Sequence, residues 1–109
     1  MKVIAMRPPA GSALTEALAS VQTRGPVQLE FGTACLPGGG RVPVTGESRH
    51  ADMEVSYVVS GVVDVVHAGG VSRIRAGDLV IVPPEEWHYS EVLEEANLVY
   101  IFVKEAGSP

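Results

Sequence analysis

The stretches His50-Ala-Asp-Met-Glu54 and Gly77-Asp-Leu-Val-Ile-Val-Pro83-Pro-Glu-Glu-Trp-His88 decide the fold of this 109-residue chain. Each stretch brings a histidine next to a segment rich in β-branched residues, which favours strands. Alternate residues of a strand share a face, so the side chains of His50 and Glu54 point the same way. Two imidazoles and a carboxylate can hold a divalent metal and leave coordination positions open. The sequence therefore predicts a β fold in which His50, Glu54 and His88 meet.

The composition is that of one ordinary globular domain, with 46% hydrophobic and 19% charged residues,. The formal net charge is −5 and no cluster of lysine or arginine exists, which argues against binding to nucleic acid or to an anionic membrane surface,. A domain of this size buries only about two thirds of its unfolded surface. A partner chain would add burial, so we expect a homodimer, formed through sheet pairing.

Cellular location is predicted from what the sequence lacks. Cys35 is the single cysteine, so no internal disulfide can form, and a reducing compartment suits it,. The stretch before Pro8-Pro9 is too short for a signal peptide, and no apolar run is long enough to span a membrane,. We therefore expect a cytoplasmic protein.

Short strand-like segments separated by Gly and Pro turns fill the chain from residue 27 onwards, which is typical of a β-sandwich or barrel,. Before them, Leu14, Leu18 and Val21 recur at helical spacing and predict a short helix over residues 12–22,. The sequence thus divides into an N-terminal arm with a short helix (residues 1–26), a barrel (27–103) and a tail (104–109). Strand breaks are expected at Ser60-Gly61 and between residues 92 and 98, with a bulge at Gly32.

The two histidine segments resemble the paired motifs of cupins, which are small jelly-roll β-barrels. His50, three residues, Glu54, six residues and Gly61 match the second part of the first motif, G-x5-H-x-H-x(3,4)-E-x6-G. Gly77, five residues, Pro83 and then His88 match the spacing of the second, G-x5-P-x-G-x2-H-x3-N. The resemblance covers roughly residues 27 to 103. It implies an all-β jelly-roll barrel, of the kind formed by small single-domain cupins of the second type.

The resemblance also implies a metal-dependent enzyme of the dioxygenase, isomerase, decarboxylase, lyase or cyclase type. His50, Glu54 and His88 would hold the divalent ion, and a small organic molecule would be the substrate. Iron, manganese, nickel, zinc and copper all suit this ligand set. Ser48 stands where the family has its first histidine, so only three of four usual ligands are carried over. Ser48 and Asp52 are the candidate catalytic residues, Asp52 as a general base.

Two other functions stay open on the sequence alone. The same segments resemble the sensor domains of arabinose-type transcription regulators, which implies a metal-free module that binds a small ligand without chemistry. A purely structural interaction module is the third alternative, against which the pairing of an inward histidine and glutamate argues.

Four further side chains have predicted positions. Strand alternation turns Tyr57 away from the site, towards a partner chain. His67 lies beside Ala68-Gly69-Gly70 and is expected to be a solvated turn residue. Tyr100 and Phe102 share one strand face, either as core residues or as part of the pocket wall.

Overall fold

The computed structural model describes residues 1–105, and all regular structure in this range is β. The strands are β1 (Thr15–Gln22), β2 (Val27–Leu36), β3 (Arg41–Val42), β4 (Met53–His67), β5 (Gly70–Arg75), β6 (Leu79–Val82) and β7 (His88–Glu105). Every strand pairing is antiparallel. The predicted all-β barrel architecture is confirmed.

Two long strands, β4 and β7, organise the barrel because they pair along nearly their whole length, from Met53 opposite Val103 to His67 opposite His88. Residues 53–58 of β4 belong to a first half-sheet, in the order β1, β2, β7, β4, β6. Residues 62–67 of β4 belong to a second half-sheet, in the order β3, β7, β4, β5. The inner faces of the two half-sheets enclose the core, whose buried members are Leu36, Val58, Val63, Ile74, Val92 and Ala96.

The two half-sheets meet at Gly61, where the pairing of β4 with β7 shifts register. Gly61 has a φ of +94°, and a Cβ atom there would lie 2.2 Å from the carbonyl oxygen of Glu95 and 2.5 Å from the Cα of Ala96. Only glycine combines a positive φ with so close a backbone approach. A break was predicted at Ser60-Gly61, but β4 passes through it as one bent strand, because a bulge bends a strand without ending it.

The two half-sheets differ in their outward side chains. Most outward positions of the first half-sheet are apolar, and they include Leu29, Phe31, Val55, Tyr57, Val59, Leu79, Ile81, Val99, Ile101 and Val103. Glu16, Thr33 and Glu105 share this face towards its margins. Outward positions of the second half-sheet include the charged residues Arg41, Asp64, Arg73, Arg75 and Glu91. Across the strands, Arg41 faces Glu91, and Asp64 faces Arg73 on one side and Glu91 on the other. We call these surfaces the apolar outer face and the charged outer face.

The predicted N-terminal helix is wrong. Thr15–Gln22 is strand β1, which pairs with β2 from Thr15 opposite Ala34 to Gln22 opposite Gln28. Isolated helices shorter than about 12 residues are marginal in water, whereas pairing with β2 satisfies the backbone groups of this segment. The pairing shifts register between Ala17 and Ala19, so Leu18 lies in a bulge of β1.

Two other predicted irregularities are also resolved differently. Gly32 lies inside the continuous strand β2, and the bulge is in the opposite strand β1. Strand β7 runs without a break through residues 92–98. Of the predicted tail, Lys104 and Glu105 belong to β7, and the Lys104 ammonium lies 3.3 Å from the carboxylate of Glu30. Residues 106–109 of that tail lie outside the described residues.

In the described part of the chain, no helix has the length and apolar character needed to cross a membrane.

Candidate functional site

A cavity of about 320 Å³ lies between the inner faces of the two half-sheets. Much of its wall is aliphatic, from Ala34 and Leu36 of β2 to Val80 and Val82 of β6. Its polar lining comprises Thr15, Ser48, His50, Glu54, Ser56, His88, Ser90 and Tyr100. An apolar pocket with a few convergent polar groups is the usual form of a small-molecule site.

His50 is held in one tautomer by its own backbone segment. Its Nδ1 lies 2.8 Å from the carbonyl oxygen of Asp52, so Nδ1 carries the proton and donates a hydrogen bond to that carbonyl,. The other ring nitrogen, Nε2, is buried and has no hydrogen-bond partner among the described residues. Buried polar atoms are nearly always paired. A free lone pair at this depth therefore points to a ligand that binds there.

His88 repeats this arrangement on the first residue of β7. Its Nδ1 lies 3.2 Å from the carbonyl oxygen of Glu86 and donates to it, which leaves the Nε2 lone pair available,. Metal-binding histidines commonly donate their second ring N–H to a backbone carbonyl or carboxylate in this way. The rings of His50 and His88 are 5.5 Å apart between centroids and nearly perpendicular, at 78°.

Glu54 completes the group from the β4 side. The hydroxyl of Ser56, a buried residue, donates a hydrogen bond of 2.9 Å to Glu54 Oε2. The second oxygen, Oε1, lies 3.6 Å from Nε2 of His50. Ser56 thereby fixes one carboxylate oxygen and leaves the other directed at the free nitrogen of His50.

The donors fit a divalent ion in type and in part in geometry. Two imidazoles that bind one ion through Nε2 at about 2.1 Å place their ring centres about 5 Å apart, close to the 5.5 Å between His50 and His88. The 3.6 Å between His50 Nε2 and Glu54 Oε1 can also be bridged by one ion. Within residues 1–105, however, no three His, Cys, Asp or Glu side chains are arranged to hold a metal as they stand. A small adjustment of the side chains would have to accompany binding.

The two candidate catalytic residues occupy different positions. Ser48 lines the cavity, and its backbone exchanges two hydrogen bonds with His88, of 2.7 and 2.9 Å. It therefore positions the start of β7 as well as part of the wall. Asp52 is absent from the cavity lining within the described residues and takes part through its backbone carbonyl, which orients His50.

His67 lies directly opposite His88 in the pairing of β4 with β7. Both of its ring nitrogens are occupied, because Nδ1 accepts the N–H of Gly69 at 3.2 Å and Nε2 donates to Ser72 Oγ at 2.8 Å. A histidine with no free lone pair makes a poor metal ligand. His67 is thus fixed within its hairpin, and it is not part of the cavity lining in the described residues.

Tyr100 and Phe102 belong to the cavity wall, which resolves the alternative that the sequence left open. The Tyr100 ring lies against Gly32, where an added Cβ would come within 2.2 Å of the phenol oxygen. Burial raises the pKa of Tyr100, and the carboxylates of Glu30, Glu54 and Glu16 raise it further. The phenol therefore stays protonated and can donate a hydrogen bond into the cavity. Strand parity put both rings on one face, but it did not say which face lined a cavity.

Comparison with known proteins agrees with this architecture. A family profile described as "Cupin domain" matches residues 32–104, about two thirds of the chain. No curated protein sequence matches the chain.

Many solved structures share the fold. The protein NMB1881 from Neisseria meningitidis has a TM-score of 0.63 and 23% identity, over 87% of this chain and 90% of that one. KdgF from Halomonas sp. has a TM-score of 0.60 and 19% identity, over 78% and 86%. The DMSP lyase DddQ from Ruegeria pomeroyi DSS-3 has a TM-score of 0.63 and 16% identity, over 74% and 41%. At these identities the likeness shows the fold alone.

Proposed function

We propose a function from the premise that this chain belongs to the cupin domain family. Its barrel binds a small organic molecule beside a divalent metal ion, and His50, Glu54 and His88 hold that ion. The observation that carries the proposal is the buried Nε2 of His50, which has no partner among the described residues and lies 3.6 Å from Glu54 Oε1. The carbonyl-fixed tautomer of His88 supports it, since this leaves a second lone pair free.

The proposed activity is enzymatic, of the dioxygenase, isomerase, decarboxylase, lyase or cyclase type. A bound ion of this kind supplies Lewis acidity or a coordination position for a reacting group. The backbone carbonyls of Asp52 and Glu86 orient the two imidazoles. The Tyr100 phenol donates a hydrogen bond to a ligand oxygen, and the aliphatic wall excludes water. A lyase among the structures of this fold supports an enzymatic role.

The lining also limits the ligand. Among residues 1–105, the lining contains neither lysine nor arginine, and Glu54 supplies its one side-chain carboxylate. An anionic group on the ligand would therefore find its counter-charge at the ion alone. We expect a mainly apolar molecule that fits about 320 Å³, with at most one anionic end. A cytoplasmic site of action suits the free thiol of Cys35,.

A metal-free binding module is the second candidate. It is favoured by the observation that, in the described residues, no three donor side chains are already arranged to hold a metal. In that function the Nε2 of His50 accepts a hydrogen bond from the ligand, and Glu54 accepts another. Ligand binding would then stabilise the fold without turnover.

Metal analysis of untagged protein tests the proposal. After incubation with iron(II), manganese, nickel, zinc or copper and removal of free metal, we expect about one ion per chain. His50→Ala and His88→Ala should each lower this content at least tenfold. His67→Ala is the matched control, because it removes the third histidine of the chain and should leave the content unchanged.

Two results would contradict the metal site. One is wild-type protein that retains none of the five metals. The other is a metal content that falls with His67→Ala and stays unchanged with His50→Ala. A rise in melting temperature with small apolar ligands in metal-free protein, lost in His50→Ala, would support the binding module instead.

A further inference from the structure

The cavity has a second polar end, at Tyr100, apart from the candidate metal ligands. Tyr100 is 9% exposed and lines the cavity. On β7 it lies opposite Ser56 of β4 on one side and Gly32 of β2 on the other. Its ring leans over β2, where Gly32 has no side chain to obstruct it, and an added Cβ would come within 2.2 Å of the phenol oxygen. The phenol therefore extends away from β4, the strand that carries Glu54.

Phe102 lies between the two polar ends. Its ring centroid is 5.2 Å from that of His50 and 5.3 Å from that of Tyr100. The centroids of His50 and Tyr100 are therefore separated by no more than the sum of these two distances. All three rings belong to the lining of one cavity, so a single small molecule can reach both ends. The apolar ring of Phe102 then lies along the carbon chain of that molecule.

The hydroxyl of Tyr100 is available to a ligand. Burial and the charges of three carboxylates act on this group, and no hydrogen bond from the described residues does. Buried tyrosine hydroxyls usually have a hydrogen-bond partner. A ligand oxygen that accepts the phenol proton in a hydrogen bond would supply that partner.

The surroundings of Tyr100 select against a negative charge at this end of the cavity. Burial is the main cause of its raised pKa, and the carboxylates of Glu30, Glu54 and Glu16 add to the effect. Two of these carboxylates have a cationic partner of their own, yet all three still raise the pKa. Burial and negative potential disfavour an anionic ligand group beside the phenol for the same reasons that they disfavour tyrosinate. A neutral oxygen meets neither penalty.

We propose that the cavity binds a molecule with two different ends, an anionic head at the metal ion and a neutral oxygen at the Tyr100 phenol. The proposal rests on the proposed function for the head, and it adds the class of the substrate. That class is a small aliphatic acid with a ketone, ester, ether or hydroxyl oxygen towards the far end of its chain. Tyr100 determines specificity for the far oxygen, and Gly32 positions Tyr100 by leaving room for its ring.

Calorimetric titration of zinc-loaded protein tests the proposal with a series of probes. The probes run from 4-oxopentanoate to 7-oxooctanoate, each compared with the parent acid that lacks the ketone. Wild type should bind at least one oxo acid about tenfold more tightly than its parent acid, the effect of one net hydrogen bond. Tyr100→Phe should abolish this preference and leave the affinity for the parent acid unchanged.

Tyr57→Phe is the matched control for the loss of a tyrosine hydroxyl. Tyr57 is 47% exposed on the apolar outer face, so this variant should keep the preference for the oxo acid. Both variants should retain the wild-type zinc content and circular dichroism spectrum. Octanedioate, which carries a carboxylate in place of the ketone, should bind at least tenfold more weakly than 7-oxooctanoate.

Three results would overturn the proposal. Wild type may bind every oxo acid no better than its parent acid, the preference may survive in Tyr100→Phe, or octanedioate may bind more tightly than 7-oxooctanoate. Failure of the proposed function gives a different result. The parent acids would then bind equally well to zinc-loaded and zinc-free protein, whatever the effect of Tyr100→Phe on the oxo acids.

Discussion

The apolar and the charged outer faces are built by the same two strands, and they differ in almost every outward residue. Near one end of β4, Val55 and Tyr57 face solvent beside Leu79 and Ile81. Near the other end, Asp64 lies opposite Arg73 on one side and Glu91 on the other. The inner faces of both half-sheets are similar, since both supply residues to one core. The buried inner residues therefore determine the fold, whereas the outward residues differ according to the surroundings of each face.

The largest expected effect on stability comes from replacing Gly61, where the two half-sheets meet. Gly61→Ala combines a positive φ with backbone atoms at 2.2 and 2.5 Å, whereas Gly77→Ala has the same φ of +94° and nothing within 4 Å. We expect Gly77→Ala to lower the free energy of unfolding by about 1 kcal/mol and Gly61→Ala by about 3 kcal/mol or more. Urea unfolding measures both. Equal losses of stability in the two variants would show that the positive φ alone accounts for the effect. They would also show that β4 and β7 are not tightly packed at Gly61.

The next effect compares the two sides of β4 at neighbouring positions. Val58 is fully buried in the core, and Val59 is 53% exposed on the apolar outer face. In a monomeric background, Val58→Ala should cost about 2–3 kcal/mol through the cavity it leaves. Val59→Ala should cost less than about 0.5 kcal/mol there, as an ordinary surface change.

The same pair separates folding from association in the wild-type background. If the apolar outer face holds the expected homodimer, Val59→Ala should weaken dimerisation measurably in sedimentation equilibrium, because it removes apolar area from the contact. A Val59→Ala protein that associates as strongly as wild type would place the contact elsewhere.

The smallest effect belongs to the charged outer face. The Arg73 guanidinium, 2.8 Å from Asp64, lowers the pKa of that carboxyl through a hydrogen bond and through its charge. A lowered pKa contributes stability above the ordinary pKa of aspartate, and this stability is lost as pH falls through the lowered value. Unfolding of wild type and Asp64→Asn should therefore differ at pH 7 and converge in acid. The difference should shrink in 1 M NaCl, since the Arg73 side chain is half exposed to solvent,.

Apolar association should respond oppositely to salt, which sharpens the contrast between the faces. A dimer held by the apolar outer face should persist in 1 M NaCl. An Asp64→Asn variant should leave it unchanged. Dissociation of the dimer in 1 M NaCl would show that the contact lies on the charged outer face.

Much of the fold was predictable because strand alternation and turn residues act locally. His50 and Glu54 both line the cavity as expected, but β4 begins at Met53, so strand alternation applies to Glu54 and not to His50. The same alternation placed Tyr57 outside, where the structure finds it. The spacing from Gly77 to His88 located the second histidine segment, whose side chain lies next to His50.

What failed depends on partners distant in the chain. The spacing of Leu14, Leu18 and Val21 fits a helix until β2 is present to pair with the strand Thr15–Gln22. The position of His67 opposite His88 follows from the long register of β4 and β7, which a short sequence window does not contain. The fixed tautomers of His50 and His88 depend on carbonyl groups two residues away, whose direction only the folded backbone determines.

Both faces of strand β4 between residues 53 and 59 carry side chains with a role. Its even positions, such as Glu54 and Ser56, belong to the cavity wall, while Val55 and Tyr57 on the odd positions form the outer surface. An edge strand such as β5, where only Ile74 is buried, should tolerate replacement at every second residue or more. Saturation mutagenesis should instead find an unbroken block of intolerance across residues 53–59. This short stretch would then be the slowest part of the chain to change as related proteins diverge.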